Sequence, residues 1–235
     1  MEAAATQARR FEGPTHGPLW EMVSAASSCL TCNTCSSRCA VAGVHGFDPR
    51  KVVRLANLGR EQEIIDSQWI WNCTVCGRCE VACPLGVDIN KLVRSARGLR
   101  PRDKVPGVLH KGVAMCLERG NNLGIPKDEF IWLMGDLSEE MRNEGFGGFE
   151  VPIDKTGARL LLTVNSKEPS AEPDDMKFWW KIFHAAGESW TIPSENWEGV
   201  NWGLFTGDDE AMHTVVGRLV ENYKKLEAKT LVLPE

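Results

Sequence analysis

The segments Cys29-Leu30-Thr31-Cys32-Asn33-Thr34-Cys35-Ser36-Ser37-Arg38-Cys39 and Cys73-Thr74-Val75-Cys76-Gly77-Arg78-Cys79-Glu80-Val81-Ala82-Cys83 carry eight of the chain's nine cysteines. Both read C-x2-C-x2-C-x3-C, and Pro84 follows the second. Three thiolates at that interval on a tight turn reach three corners of an iron–sulfur cube. The x3 cysteine, expected at the start of a helix, points away, so the fourth iron needs a ligand from elsewhere. Two such runs predict two [4Fe–4S] clusters and a chain that moves electrons.

The spacing resembles that of bacterial two-cluster ferredoxins, in which the fourth cysteine of each run ligates the other cluster. That resemblance assigns Cys29, Cys32, Cys35 and Cys83 to one cubane, and Cys73, Cys76, Cys79 and Cys39 to the other. The exchange would staple the two segments together and couple folding to metal loading. Ala40 stands where the pattern usually has proline, which leaves the ligand count untouched. Tetrahedral zinc rarely uses a third cysteine at the same spacing. Disulfides call for an oxidising compartment, usually with an even count and an apolar signal region. Arg9-Arg10 runs into Phe11-Glu12-Gly13-Pro14 rather than an apolar stretch, so a twin-arginine signal is not expected.

Composition bounds the rest. With 43% hydrophobic and 25% charged residues, the chain reads as an ordinary soluble, cytoplasmic protein. Apolar runs such as Leu160-Leu161-Leu162 are far too short to span a bilayer, so direct membrane insertion is not expected. The net charge of −5 hides an asymmetry, because Arg50 to Lys111 holds twelve Lys/Arg against six Asp/Glu. Stacking aromatics are not interleaved with these cations, which argues against a nucleic-acid partner. Arg38, Arg54, Arg78, Arg94 and Arg97 are candidates to offset the negative charge of thiolate-ligated clusters. A solvated basic face is an equal reading for any one of them.

The expected fold is α+β: a mainly helical two-cluster ferredoxin domain, then a small α/β half-domain with parallel strands. Residues 1–20 read as an N-terminal arm, 21–145 as the ferredoxin domain and 146–235 as the α/β region. The last boundary falls in the Gly/Pro-rich stretch Gly145 to Gly157. Asp48-Pro49 caps a helix carrying Val52, Val53, Leu55 and Ala56 that ends at Gly59, and a short helix covers Glu61 to Ser67. Asp88 caps another with Ile89, Leu92, Val93 and Ala96. Gly107 to Arg119, ending at Gly120, is helical, and Pro126 opens a further helix. Beyond the boundary, Ala158–Val164 is a strand, Asp175–Ala186 and Asp208–Ala228 are helices, and Thr230–Leu233 is a closing strand. That region is short for a finished domain, which makes it a subunit-docking candidate.

The residues also carry a resemblance. C-x2-C-Asn33-Thr34-C, Asp48-Pro49-Arg50, Trp69-x3-Cys73-Thr74-Val75-Cys76 and Cys83-Pro84-x2-Val87-Asp88-Ile89 resemble the C-type subunit of heterodisulfide reductases. Further on, Lys181-Ile182-Phe183-His184-Ala185-Ala186-Gly187, Ser189-Trp190-Thr191 and Asn201-Trp202-Gly203-Leu204-Phe205 resemble the catalytic iron–sulfur subunit of sulfite-reductase-linked membrane complexes. They fall in the segment leading into its first cysteine-rich CCG domain, but no CCG signature follows. The resemblance implies a hetero-oligomer in which a separate B-type CCG subunit supplies catalysis and an A-type subunit supplies flavin. The sulfur-oxidising heterodisulfide-reductase-like complexes are the nearest expectation.

Two function classes follow. One is a non-catalytic electron relay with no catalytic residue of its own. The other is a self-contained iron–sulfur oxidoreductase subunit of another dehydrogenase or quinone-linked complex. Four cysteines per cubane leave no open iron position, which favours the relay. Cys116 reads as an inert buried thiol, and His184 and His213 read as core-edge or surface residues. The five tryptophans between Trp179 and Trp202 suit a core or, almost equally, a partner interface.

Overall fold

A computed structural model describes residues 17–22 and 24–233. The chain divides into two compact units, one running to Arg100 and the other from Pro101. The first sixteen residues of the expected arm lie outside the described residues. Its end is part of the first unit. The short helix α1 (Pro18–Met22) carries the fully buried Leu19. Buried Glu61 accepts the N–H groups of Gly17 and Leu19 at 3.1 and 3.0 Å.

The first unit is helical. After α1 come the one-turn α2 (Thr34–Arg38), α3 (Pro49–Asn57), α4 (Glu61–Ile65), the one-turn α5 (Arg78–Ala82) and α6 (Ile89–Leu99). The capping signals act as read. Asp48 accepts the N–H groups of Arg50 and Lys51 ahead of Pro49, and Asp88 accepts that of Lys91. Carboxylates there satisfy donors that no helical carbonyl reaches. Leu19, Phe47, Val52, Ala56, Ile64, Ile70, Leu92 and Val93 form a core that includes Cys35, Cys73 and Cys79.

The second unit holds α7 (Gly107–Arg119), α8 (Lys127–Asn143), the strand β1 (Leu160–Leu162), α9 (Glu168–Ala171), α10 (Pro173–Ala185), β2 (Trp190–Thr191), α11 (Trp202–Thr206), α12 (Asp209–Lys225) and β3 (Thr230–Val232). The sheet is parallel with order β2-β1-β3. Leu160 registers with Trp190 on one side and Thr230 on the other. The two expected strands and their parallel pairing are present. The extra strand β2 lies inside a stretch whose composition gives no strand run.

The domain boundary differs from the sequence expectation. Gly145–Gly157 lies within the second unit, because Phe149 and Val151 are buried in one core with Phe130 and Met134 of α8, Trp180 of α10 and the strand residues Leu160 and Leu162. Helix α8 therefore packs on the sheet rather than extending the ferredoxin domain. Three of the five tryptophans, Trp180, Trp190 and Trp197, are core residues. His184 and His213 are exposed.

Candidate metal centres

The two cysteine runs adopt the same backbone. In the first, Thr31 and Asn33 flank Cys32 with φ of 54° and 71°; in the second, Val75 and Gly77 flank Cys76 with φ of 58° and 74°. Left-handed φ is a genuine outlier for β-branched Thr and Val, at a cost of order 1–3 kcal/mol each. The chain holds this strain twice at equivalent positions, and it folds each C-x2-C-x2-C into a loop. The third cysteine, Cys35 or Cys79, lies inside the following one-turn helix α2 or α5.

The fourth cysteine corrects the sequence reading. Cys39 and Cys83 stand at the C-caps of α2 and α5, in extended conformation, rather than at a helix start. Each donates its N–H within its own turn, Cys39 to the Ser36 carbonyl and Cys83 to that of Glu80. Leaving the helix there turns each chain toward the other run. One cavity, with an empty volume of about 370 Å³, is lined by Cys29, Cys32, Cys35 and Cys83 together with Pro84. In the second group the charge of Cys39 acts on both Cys73 and Cys79, and that of Cys76 acts on Cys73. Helices α2 and α5, which carry the third cysteines, pack together.

Donors surround the sulfurs. The N–H groups of Thr31, Val75 and Val87 point at Sγ of Cys29, Cys73 and Cys83, each at 3.4 Å. The Thr34 hydroxyl lies 3.3 Å from Sγ of Cys32. Such N–H···S contacts stabilise thiolate and tune cluster potential. The Thr34 hydroxyl bond lowers the Cys32 thiol and the Arg78 N–H lowers that of Cys76. Burial raises Cys35 and Cys73, and pushes Cys79 up to about 12. Ligation must displace the protons these buried thiols hold, so cluster loading is pH-dependent.

Other groups fix the loops. Arg97 on α6 is fully buried and donates through Nη2 to the carbonyls of Ile70 and Cys73 at 2.8 and 2.6 Å. Its guanidinium stacks 4.9 Å from the Trp71 ring. This candidate arginine is built into the wall behind the second cysteine run. Arg100, which sequence reasoning missed, does the same for the preceding segment, donating to the carbonyls of Ile65 and Ser67 at 2.8 Å each. Its one readable signal was position, one helical turn after Arg97. Asn90 of α6 donates to the Val75 carbonyl at 3.2 Å, holding a strained residue. Asp48 adds a 2.5 Å bond from the Ser36 hydroxyl to its capping role, which ties α3 to α2 beside Cys35.

The donor set fits cubanes rather than a single ion. All nine thiols are free. Among the described residues no three His, Cys, Asp or Glu side chains close on one point as a lone ion requires. Four thiols instead spread around a cavity. Cys29, Cys32, Cys35 and Cys83 line one such cavity. A bound [4Fe–4S] cluster would supply one-electron chemistry; the thiols would hold it, and the N–H and hydroxyl donors would stabilise its ligands. Cys116 is outside both groups. It is 3% exposed, donates to Glu198 at 3.2 Å, and burial pushes its thiol well up.

The comparisons with known proteins place the same segment in one class. Residues 8–88 match the family model of the 4Fe-4S dicluster domain, so this part of the chain binds two [4Fe–4S] clusters. The chain is also homologous to the C-type iron–sulfur subunits of heterodisulfide reductases. It is 34% identical over 95 residues to the iron–sulfur C subunit of the CoB--CoM heterodisulfide reductase of Methanopyrus kandleri, covering 40% of this chain and 50% of that protein. It is 32% identical over 105 residues to the C2 subunit of the H(2)/formate:CoB-CoM heterodisulfide,ferredoxin reductase of Methanococcus maripaludis, covering 45% and 56%. With the C subunit of the ferredoxin:CoB-CoM heterodisulfide reductase of Methanosarcina mazei it shares 31% over 103 residues, covering 43% and 62%. The chain spans about half the length of the curated relatives it matches. Among the described residues no helix is long and apolar enough to cross a membrane.

Proposed function

We propose that this chain is the electron-relay subunit of a heterodisulfide-reductase-like complex, passing electrons through two cubanes from a flavin-bearing A-type subunit to a CCG-type catalytic B subunit. The observation that carries this reading is the cavity in which Cys83 of the second run joins Cys29, Cys32 and Cys35 of the first. Full four-thiol ligation leaves no iron open to substrate, so the chain conducts rather than catalyses. Ligation by Cys29, Cys32, Cys35 and Cys83 on one side, and by Cys73, Cys76, Cys79 and Cys39 on the other, is part of the proposal.

The relatives are subunits of heterodisulfide reductases, which supports a hetero-oligomeric setting. We assign the pathway to sulfur metabolism in the cytoplasm, on the resemblance of Lys181–Gly187 and Asn201–Phe205 to sulfite-reductase-linked subunits. The second unit, with its small parallel sheet, is then the docking element for the B subunit.

The protein's work is positional. Strained loops fix three thiols, the C-capping cysteine closes each set, and buried Arg97 supplies positive charge behind the second. The test is Cys76→Ser in the complex purified with its partners. One cluster signal should change or vanish and through-transfer should stop while helical content persists. Unchanged two-cluster spectra with full turnover would refute the assignment.

A further inference from the structure

The mouth of the first-cluster cavity opens onto a cationic groove that the relay reading leaves unassigned. The groove runs along α3 with an empty volume of about 850 Å³. Thr31 and Arg50 line both it and the cavity holding Cys29, Cys32, Cys35 and Cys83. Further along it lie Lys51, Arg54, Leu58 and Arg60.

Its cations outnumber its acids among the described residues. Asp48, the one acid lining the groove among the described residues, accepts from the Arg50 and Lys51 N–H groups and the Ser36 hydroxyl. Arg60 is paired with Glu63. Among the described residues Lys51 reaches the Gly46 carbonyl and the face of Trp69. Arg50 and Arg54 are exposed, and among the described residues neither has an ion-pair partner. Beside them Leu58 is 43% exposed, and Leu30, inside the first cysteine run, is 73% exposed.

Resting on the relay reading, we propose that this groove is the port where an acidic redox protein docks to exchange an electron with the first cluster. Unpaired cations around exposed leucines form the cation-rimmed apolar patch that steers and then seats a protein of opposite charge. A small anion is a poorer occupant, because solvated guanidiniums hold one weakly. Among the described residues no ring lines the groove, so single-stranded nucleic acid lacks its stacking platform there. The step is a bare electron transfer: one electron leaves the reduced partner, one enters the cluster, and no proton or bond moves.

The test uses the full chain, purified anaerobically with its clusters, in stopped-flow reduction. A reduced acidic [2Fe–2S] ferredoxin is the probe, and the reduced methyl viologen cation is the control. Reduction by the ferredoxin should slow at least about tenfold from low to high salt, as steering is screened. At low salt Arg54→Glu and, independently, Leu58→Glu should each slow it roughly tenfold. Neither should slow the viologen. Equal loss with both reductants, no change with the ferredoxin, or competition by inorganic phosphate in its place overturns the port. So does concentration-dependent self-association that Arg54→Glu abolishes. A chain that viologen does not reduce at all instead brings down the relay reading itself.

Discussion

Replacing Arg97 with methionine removes a buried charge that serves both fold and redox function. In the folded protein the side chain is fully buried, and desolvation lowers its pKa to about 10. Two hydrogen bonds offset that cost, to the carbonyls of Ile70 and Cys73. Hydrogen bonds from a charged donor are worth about 1.5–3 kcal/mol each. Methionine keeps most of the volume, so little cavity forms, but it leaves two buried carbonyls without that donor. The expected loss is therefore about 3–5 kcal/mol, the range found when one side of a buried charged contact is deleted. Guanidinium denaturation of the cluster-loaded chain under anaerobic conditions reads it. A redox titration should also show one cluster at lower potential, since positive charge near Cys73 favours the reduced, more negative state. Arg97→Lys should restore part of the potential but little of the stability, because an ammonium lacks the planar fork. A loss under about 1 kcal/mol with both potentials unmoved would refute the reasoning.

Other outcomes are specific. Asp48→Ala should cost about 1–2 kcal/mol through the lost cap, and the freed Ser36 hydroxyl should loosen α2 and speed iron loss to a chelator. Gly203→Ala should destabilise the second unit by about 1–3 kcal/mol, because its Cβ would clash with the Met212 backbone nitrogen; tryptophan fluorescence follows the melt. Lys177, 6% exposed and bonded to Glu140, Glu144 and Asp174, joins Lys181 in holding Glu144 below its ordinary value of 4.5, the Lys181 hydrogen bond acting most strongly. A depressed carboxyl adds stability above its unfolded pKa and loses it as pH falls through the folded one. Melting temperature should thus drop from about pH 4.5 downward, and Lys177→Met should lower it at neutral pH while flattening that slope.

Local punctuation made much of this fold legible. Asp48-Pro49, Asp88 and Gly120 each mark a helix end by chemistry that acts within a few residues, and all three stand where read. The cysteine spacing likewise made the two matching loops legible, since loop geometry depends on short-range separation. What lay beyond reach was set by distant partners. Trp190-Thr191 becomes a strand only by pairing with Leu160 and Leu161. The Gly/Pro-rich stretch after Gly145 looked like a linker because its burial depends on Trp180, some thirty residues later. Pro101 and Pro106, at the start of the second unit, were the overlooked signal. The helix-end position of Cys39 and Cys83 was missed because one-turn helices leave no periodic pattern, and the Cys116–Glu198 contact spans 82 residues.

The most direct test of the two-cubane relay is iron analysis with EPR of the dithionite-reduced chain, purified anaerobically with its partners. The account predicts roughly eight irons per copy beyond the partners' share, and two magnetically coupled S = 1/2 signals. Two zincs per copy and no reducible signal would contradict it.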